Sequence, residues 1–130
     1  MSGPATIRGE SRTVTQEQVK AYADASGDHN PLHLDEVFAA NTIFGKRIAH
    51  GMLVLAFVSE LFQAHFGDNW ETGGRLNVRF RAPVTPGDRI FASGTLKSKE
   101  NDRLTYAVTV TNQYGTDVIT GDASVPSEAA

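Results

Sequence analysis

The feature that most constrains the fold is an apolar run, Met52 to Val58, inside a segment with helical character from Gly51 to about His65. Apolar side chains occupy every side of its first turns, and polar residues such as Glu60 and Gln63 enter only later. A helix without a polar face has to be covered by other structure. The run is too short to span a membrane. We therefore expect a buried helix around which the rest of the chain folds.

The pattern changes to a period of two after Gly73, which predicts β-strands. Apolar residues alternate with asparagine and arginine from Leu76 to Ala82, as expected of a half-buried strand. Consecutive strands with tight turns predict an antiparallel meander. Three further strands are predicted over 89–98, 104–112 and 117–125, with turns at 86–88, 99–102 and 114–116.

Two shorter helices are predicted before the apolar helix. Thr15 and Gln18 form a capping-box pattern that begins the first, and Gly27 ends it. Asp35 is expected to cap the second, which would end near Gly45. The residues between these helices, 28–31, are predicted to form a loop, because Asn30 precedes a proline.

These elements predict an α+β fold in which a curved antiparallel sheet wraps around a long central apolar helix. The length of 130 residues suits a single domain over 1–130, in which we expect 1–8 and 126–130 to be frayed. Residues 1–12 are predicted to be an irregular lead-in or a short edge strand. A wrapped sheet of this size leaves an edge strand unpaired, so an edge-to-edge homodimer or a higher homo-oligomer is expected.

Composition excludes several classes of function. A net charge of −3 argues against nucleic acid as a partner, because binding to a phosphate backbone needs a basic face. The absence of cysteine excludes disulfides, thiolate metal sites and a cysteine nucleophile. No secretory signal is visible after Met1, so we expect a cytoplasmic protein without a membrane partner.

The predicted loop carries the candidate catalytic residues, Asp28 and His33. Addition of water to an activated double bond needs a base that takes a proton from water and a donor that returns one to the neighbouring carbon. An Asp and a His can do this near neutral pH. Pro31 restricts the loop, so both side chains could converge on one water, and Asn30 could support them. The alternatives are a turn with Asx-type hydrogen bonds and a metal site built from Asp28, His29, His33 and Asp35.

Gly51 is the second candidate. The free N–H groups of a helix's first turn, together with the helix dipole, can bind an oxyanion, and glycine lets a carbonyl approach closely. The alternative is that Gly51 only eases entry into the helix, and the adjacent His50 is interpreted as a structural histidine. Ser59 could contact substrate or water, or bond a carbonyl of its own helix.

Basic and aromatic residues remain less specific. Phe66 and Trp70 are expected to close the core or line a dimer interface. Four arginines on the predicted strands are either solvated surface or contacts to the phosphates of coenzyme A. They are Arg75, Arg79, Arg81 and Arg89.

The sequence resembles the MaoC-like, or (R)-specific enoyl-CoA hydratase, family of hot dog folds. The resemblance rests on Gly27-Asp28-His29-Asn30-Pro31-Leu32-His33, in which the pattern Gly-Asp-x-Asn-Pro-x-His is intact. It continues through Ile48-Ala49-His50-Gly51-Met52-Leu53, Val78-Arg79-Phe80-Arg81-Ala82-Pro83-Val84 and Pro86-Gly87-Asp88.

The resemblance implies syn hydration of a trans-2-enoyl-CoA to an (R)-3-hydroxyacyl-CoA, or the reverse dehydration. Asp28 and His33 would then activate water, Asn30 would support them, and the Gly51 amide would bind the thioester carbonyl. Ser59 falls where some members place a pocket serine, and His29 becomes a bystander. No cofactor is expected, since coenzyme A enters with the substrate. Candidate acyl-tunnel residues are Met52, Leu55 and Phe62, with Phe57 and Val125 as further possibilities.

Two rival functions stay open. A hot dog acyl-CoA thioesterase would share the architecture and use a carboxylate to direct water at the carbonyl carbon. A non-catalytic acyl-binding subunit of a dehydratase complex would need no active dyad, although the intact motif disfavours it. Acyl length, pathway and the choice between coenzyme A and acyl carrier protein are not readable from the sequence.

Overall fold

The computed structural model describes residues 3–127, which form one antiparallel sheet and five helical segments. The elements in chain order are β1 (Thr6–Arg8), β2 (Arg12–Thr13), α1 (Gln16–Ser26), α2 (Pro31–Leu34), α3 (Glu36–Ala40), α4 (Gly51–Phe66), α5 (Asp68–Gly73), β3 (Arg75–Phe80), β4 (Arg89–Glu100), β5 (Arg103–Thr111) and β6 (Asp117–Pro126). The α+β class predicted from the sequence is confirmed.

The strands are arranged in the order β1-β4-β5-β6-β3, and β2 also pairs with β4. The meander prediction is confirmed for β4, β5 and β6, which are consecutive neighbours. It is wrong for β3, which pairs with β6 rather than β4. The segment between β3 and β4 is instead bonded to other elements, since Arg81 N–H donates to Val118 O and Ala49 N–H to Val84 O.

The predicted turns and caps are largely confirmed. The β4–β5 hairpin turns at Asn101 and Asp102, whose φ values of 55° and 59° suit a tight hairpin. Helix α1 begins with the predicted capping box between Thr15 and Gln18. Helix α3 is capped by Asp35 as predicted, but it ends at Ala40, before the expected Gly45.

Two short helices are absent from the sequence prediction. Asn30 caps α2 by accepting a hydrogen bond from Leu32 N–H at 2.9 Å, and a proline is tolerated in the first helical turn. Helix α5 follows Gly67 directly and buries Trp70. Because both helices are shorter than two turns, they leave almost no periodic signal in the sequence.

Helix α4 packs on the sheet by one face, through Val54, Val58, Leu61 and Phe62. Its opposite face is open within the described residues, where the side chain of Met52 is 57% exposed. The expectation that this helix is covered on all sides is therefore wrong for the described residues of this chain. It lies against one curved sheet and projects its remaining apolar side chains outward.

Several residues that the sequence predicts to be frayed are paired in the sheet. Thr6–Arg8 pairs with β4 and buries Ile7, and Pro126 pairs with Arg103. Residues 1–2 and 128–130 lie outside the described residues. The short edge strand allowed by the sequence is thus present as β1, and β2 adds a second one.

Strand β3 does not show the predicted half-buried pattern. Leu76 is 36% exposed and Phe80 is 53% exposed, and Val78 is partly buried. The strand lies at the edge of the sheet, where its pairing on one side is the only pairing recorded within residues 3–127. No helix among the described residues is both long and apolar enough to cross a membrane.

Candidate active site

Asp28 and His33 lie together where α1 is followed by α2. Asp28 Oδ2 is 3.9 Å from His33 Nε2. This is too long for a direct hydrogen bond, yet a single water about 2.8 Å from each atom would contact both. The side chain of His33 is 12% exposed and that of Asp28 is 53% exposed, so the pair opens toward solvent from the side of the carboxylate.

Loop hydrogen bonds hold the Asp28 carboxylate. Asp28 N–H donates to Ser26 Oγ at 3.1 Å, and Asn30 N–H donates to Asp28 Oδ1 at 3.2 Å. The second oxygen, Oδ2, is the one that faces His33. The Asx-type turn considered as an alternative is therefore present, and it orients the carboxylate of the candidate dyad. Asn30 acts through its main chain here, since its side chain caps α2.

His33 is fixed in one tautomer by a carbonyl. Its Nδ1 lies 2.7 Å from Ile48 O, and because a carbonyl oxygen only accepts, Nδ1 carries the proton. In the neutral ring Nε2 then has a free lone pair and faces Asp28. Gln16 Nε2 donates to the His33 main-chain oxygen at 3.0 Å and so ties α1 to α2. This arrangement leaves His33 able to accept a proton from water.

His50, interpreted from the sequence as a structural histidine, lies directly against the pair, a contact that the sequence did not reveal. Its side chain is 3% exposed, its ring stacks on that of His33 with centroids 3.8 Å apart, and its Nε2 lies 3.0 Å from Asp28 O. A histidine between Ile48-Ala49 and an apolar helix was a usable signal, because a buried polar ring needs a partner.

A metal ion fits this cluster poorly. Ligand atoms of Asp28, His33 and His50 lie within 4.8 Å of one another. However, the two imidazole rings stack with planes inclined by only 26°, and His50 Nε2 faces the main-chain oxygen of Asp28, so the rings are not placed to direct two nitrogen lone pairs at one ion. The set considered from the sequence is not assembled, since His29 contacts Asp24 and Asp35 caps α3.

Gly51 is the first residue of α4, and its N–H lies in the helical turn that has no intrahelical acceptors. A methyl group here would lie 3.0 Å from Cε1 of Phe80, so the ring of Phe80 covers this helix start closely. A mainly apolar cavity of about 300 Å³ opens beside it. Its lining includes Phe44, Ile48, Gly51, Val54, Phe80 and Val84.

Residues 4–118 match the family described as the MaoC like domain. This chain belongs to that family. The MaoC-like chain is 33% identical over 116 residues to an (R)-specific enoyl-CoA hydratase of Rhodospirillum rubrum, covering 88% of this chain and 80% of that protein. It is 41% identical over 93 residues to 3-hydroxyacyl-thioester dehydratase Z of Mycobacterium tuberculosis, covering 68% of this chain and 62% of that protein.

A solved (R)-hydratase of Aeromonas caviae superposes on the MaoC-like chain with a TM-score of 0.83 and 30% identity. The superposition covers 97% of this chain and 96% of that one. The hot dog fold predicted from the sequence is thereby confirmed. The curated relatives also establish the class of enzyme: the chain is a hydratase or dehydratase, a lyase.

The other candidate residues of this MaoC-like chain lie apart from the dyad. Ser59 Oγ accepts a hydrogen bond from Trp70 Nε1 at 2.9 Å and so joins α4 to α5. Trp70 and Phe66 both pack against Phe62, which confirms their expected place in the core. Met52, Leu55 and Phe62 are not among the described residues that line the cavity beside Gly51.

The four arginines are distributed over different surfaces. Arg75 and Arg79 lie on the exposed strand β3, and Arg89 begins β4. Arg81 alone of these four lines the cavity beside Gly51, where its Nε donates to Thr120 Oγ1 at 2.9 Å. His29 is exposed next to Asp24, whose hydrogen bond raises the pKa of the imidazole.

Proposed function

We propose that this enzyme adds water to a trans-2-enoyl thioester to give an (R)-3-hydroxyacyl thioester, or runs the reverse dehydration, with coenzyme A as the carrier. The observation that carries the proposal is the pair of Asp28 Oδ2 and His33 Nε2, 3.9 Å apart with the His33 tautomer fixed by Ile48 O. The names of the relatives support the same chemistry.

In the proposed reaction, one water is held between Asp28 and His33. His33 Nε2 takes a proton as the water oxygen bonds to the β-carbon, and Asp28 accepts a hydrogen bond from the remaining O–H. His33 then returns the proton to the α-carbon. The net change is addition of one water across the double bond, with OH and H delivered from the same side.

The thioester carbonyl is placed at the Gly51 amide. Electron density moves onto that oxygen as water adds, and a helix N-terminus stabilises the resulting enolate-like charge. Glycine supports this role because a side chain there would meet Phe80. The residue that caps this helix, His50, also contacts Asp28, so the water and carbonyl subsites lie at adjacent positions.

The acyl chain is assigned to the cavity beside Gly51, whose lining by Phe44, Val54 and Val84 suits a hydrocarbon. Arg81 supplies a cation at this cavity, which fits a phosphate of the carrier. No metal or redox cofactor takes part in the proposed steps, since acid–base transfer and one backbone amide provide the chemistry. Met52, Leu55 and Phe62 stay without a role in this assignment.

We also propose a homodimer formed through β3. Its outer edge offers unpaired backbone groups within the described chain, and Leu76 and Phe80 are exposed beside it. Paired edges would extend the sheet and cover these side chains. Light scattering tests this: the mass should be twice the 14.0 kDa of the chain, and a Leu76→Glu variant should shift it toward the monomer.

The function is tested by following loss of enoyl absorbance when purified enzyme meets trans-2-enoyl-CoAs of increasing length, with chiral analysis of the product. The expected result is an (R)-3-hydroxyacyl-CoA. Release of free thiol from saturated acyl-CoA, without hydration, would instead support the thioesterase alternative. Binding of enoyl-CoA without turnover would support the non-catalytic subunit.

A further inference from the structure

His50 has an unusual environment for a residue outside the dyad. Apart from Tyr106 and Trp70, whose rings belong to the core, it is the only polar side chain that is buried among residues 3–127, at 3% exposure. Its ring packs between His33, at 3.8 Å between centroids, and Tyr22, at 4.8 Å. Burial of a polar ring costs free energy, so these contacts indicate that His50 does more than fill space in the core.

The hydrogen bonds of His50 define its tautomer. Nε2 faces the main-chain oxygen of Asp28 at 3.0 Å, and because a carbonyl only accepts, Nε2 carries the proton. Nδ1 is buried and has no hydrogen-bond partner among the described residues. A proton on Nδ1 would be a buried donor without an acceptor, which is unfavourable. His50 is thus suited to be a neutral donor and poorly suited to act as a base.

Both members of the dyad contact this one ring. The main-chain oxygen of Asp28 accepts a hydrogen bond from His50, and the ring of His33 stacks on that of His50. Ile48 O accepts a hydrogen bond from Nδ1 of His33. The four residues 48–51 include Ile48 and His50, which precede α4, and Gly51, which begins it. One short segment therefore sets the ring plane of His33, the backbone of Asp28 and the position of the Gly51 amide.

We propose that His50 is a positioning residue, which fixes the separation of Asp28 Oδ2 and His33 Nε2 at the value that one water can bridge. This inference rests on the proposed hydration. His50 Nε2 also lies 3.9 Å from Asp28 Oδ2, but its proton is directed at the main-chain oxygen of Asp28, so His50 is assigned to act through Asp28 and His33 and not as the proton acceptor. Its loss should lower kcat more than it changes KM, because small misplacements of reacting groups slow the chemical step strongly.

Two variants separate the ring from the donor. His50→Phe keeps a ring that can stack on His33 but removes the N–H to Asp28 O, and His50→Gln keeps a side-chain N–H of similar reach. His29→Gln is the matched control, since His29 is exposed and contacts Asp24. With crotonyl-CoA, His50→Phe should lower kcat about 100-fold with KM changed less than about threefold. His50→Gln should recover about a tenth or more of wild-type kcat.

Several outcomes would overturn the assignment. Unchanged kcat in His50→Phe, a rise in KM alone, or equal loss in both variants would each exclude the positioning role. If His50→Phe does not fold, nitrogen-15 NMR of the wild-type histidines tests the proposal instead. A proton on His50 Nδ1 contradicts it. A proton on Nε2, together with the expected kinetics of His50→Gln, supports it. Absence of hydration by the wild-type enzyme would reject the proposed function itself, a separate result from an active wild type that tolerates His50→Phe.

Discussion

Asp28 Oδ2 lies 3.9 Å from His33 Nε2, and the two atoms face each other without a direct hydrogen bond. At this distance the two side chains do not form the short, direct contact that is typical of a structural ion pair. Their separation suits a third, small polar molecule, and the protonated Nδ1 of His33 leaves Nε2 free to accept a proton.

Asp28→Asn and His33→Ala should each lower kcat by about 100-fold to 10,000-fold, the usual contribution of a positioned acid or base. Circular dichroism should show an unchanged fold, because Asp28 is exposed and α2 is short. His29→Ala is the control and should retain near-native turnover. Near-native turnover in either dyad variant would contradict the proposed chemistry.

Gly51→Ala should reduce kcat/KM by about tenfold, less than loss of a whole oxyanion donor, because the N–H remains. The added methyl would lie 3.0 Å from Phe80 Cε1 and would crowd this ring beside the proposed carbonyl site. Steady-state kinetics of Gly51→Ala and of Gly51→Ala with Phe80→Leu test this. Full recovery in the double variant would show that displacement of Phe80, and not a blocked carbonyl, causes the loss.

Phe44→Ala should extend the range of accepted acyl chains. Phe44 lines the cavity beside Gly51 and is 38% exposed, so its truncation enlarges the cavity without emptying the core. The ratio of kcat/KM for octenoyl-CoA to that for crotonyl-CoA should rise. Val37→Ala, 74% exposed and away from the cavity lining, is the control. An unchanged ratio in Phe44→Ala would place the acyl chain elsewhere.

Ser59→Ala should destabilise the fold while leaving kcat unchanged at low temperature. Its Oγ is the acceptor for Trp70 Nε1, and removal leaves a buried donor unpaired at a cost of about 1–3 kcal/mol. Urea unfolding measures the loss, and Ser11→Ala, at an exposed position, is a surface comparison. A fall in kcat without loss of stability would instead assign Ser59 to the substrate.

The pair of His29 and Asp24 should make a small pH-dependent contribution to stability. The hydrogen bond from His29 to Asp24 raises the pKa of His29 above 6.5, its usual value. A group whose pKa is higher in the folded state than in the unfolded state stabilises the fold. This stabilisation is complete at pH values below the unfolded-state pKa, and it is lost as the pH rises through the folded-state pKa. The melting temperature of wild type minus that of His29→Gln should therefore be larger below pH 6.5 than well above it.

Local patterns predicted those parts of the fold that local interactions determine. The capping box at Thr15 and Gln18, the start of α4 at Gly51 and the turn at Asn101 and Asp102 all depend on residues close in sequence. The pairing of β3 with β6 depends on contacts between distant segments, and the alternating pattern of Leu76 to Phe80 does not reveal which strand lies beside it.

The candidate site divides in the same way. Asp28, Asn30 and His33 are close in the chain, and their spacing alone suggested a shared role. The place of His50 could not be read from spacing, because its ring meets Asp28 only after the segment before α4 is bonded to α2, where Ile48 N–H donates to Leu32 O. Likewise, the sequence around Ser59 does not indicate that its hydroxyl accepts a hydrogen bond from Trp70.

Phe80 belongs to two surfaces at once. Its ring covers Gly51 and lines the cavity beside it, and its strand is the exposed edge through which we propose that two chains join. In the proposed dimer, a change in chain association would therefore act on a wall of this cavity. At protein concentrations near the dissociation constant of the dimer, acyl selectivity should therefore vary with concentration, so that dilution alone would change which acyl chains the enzyme prefers.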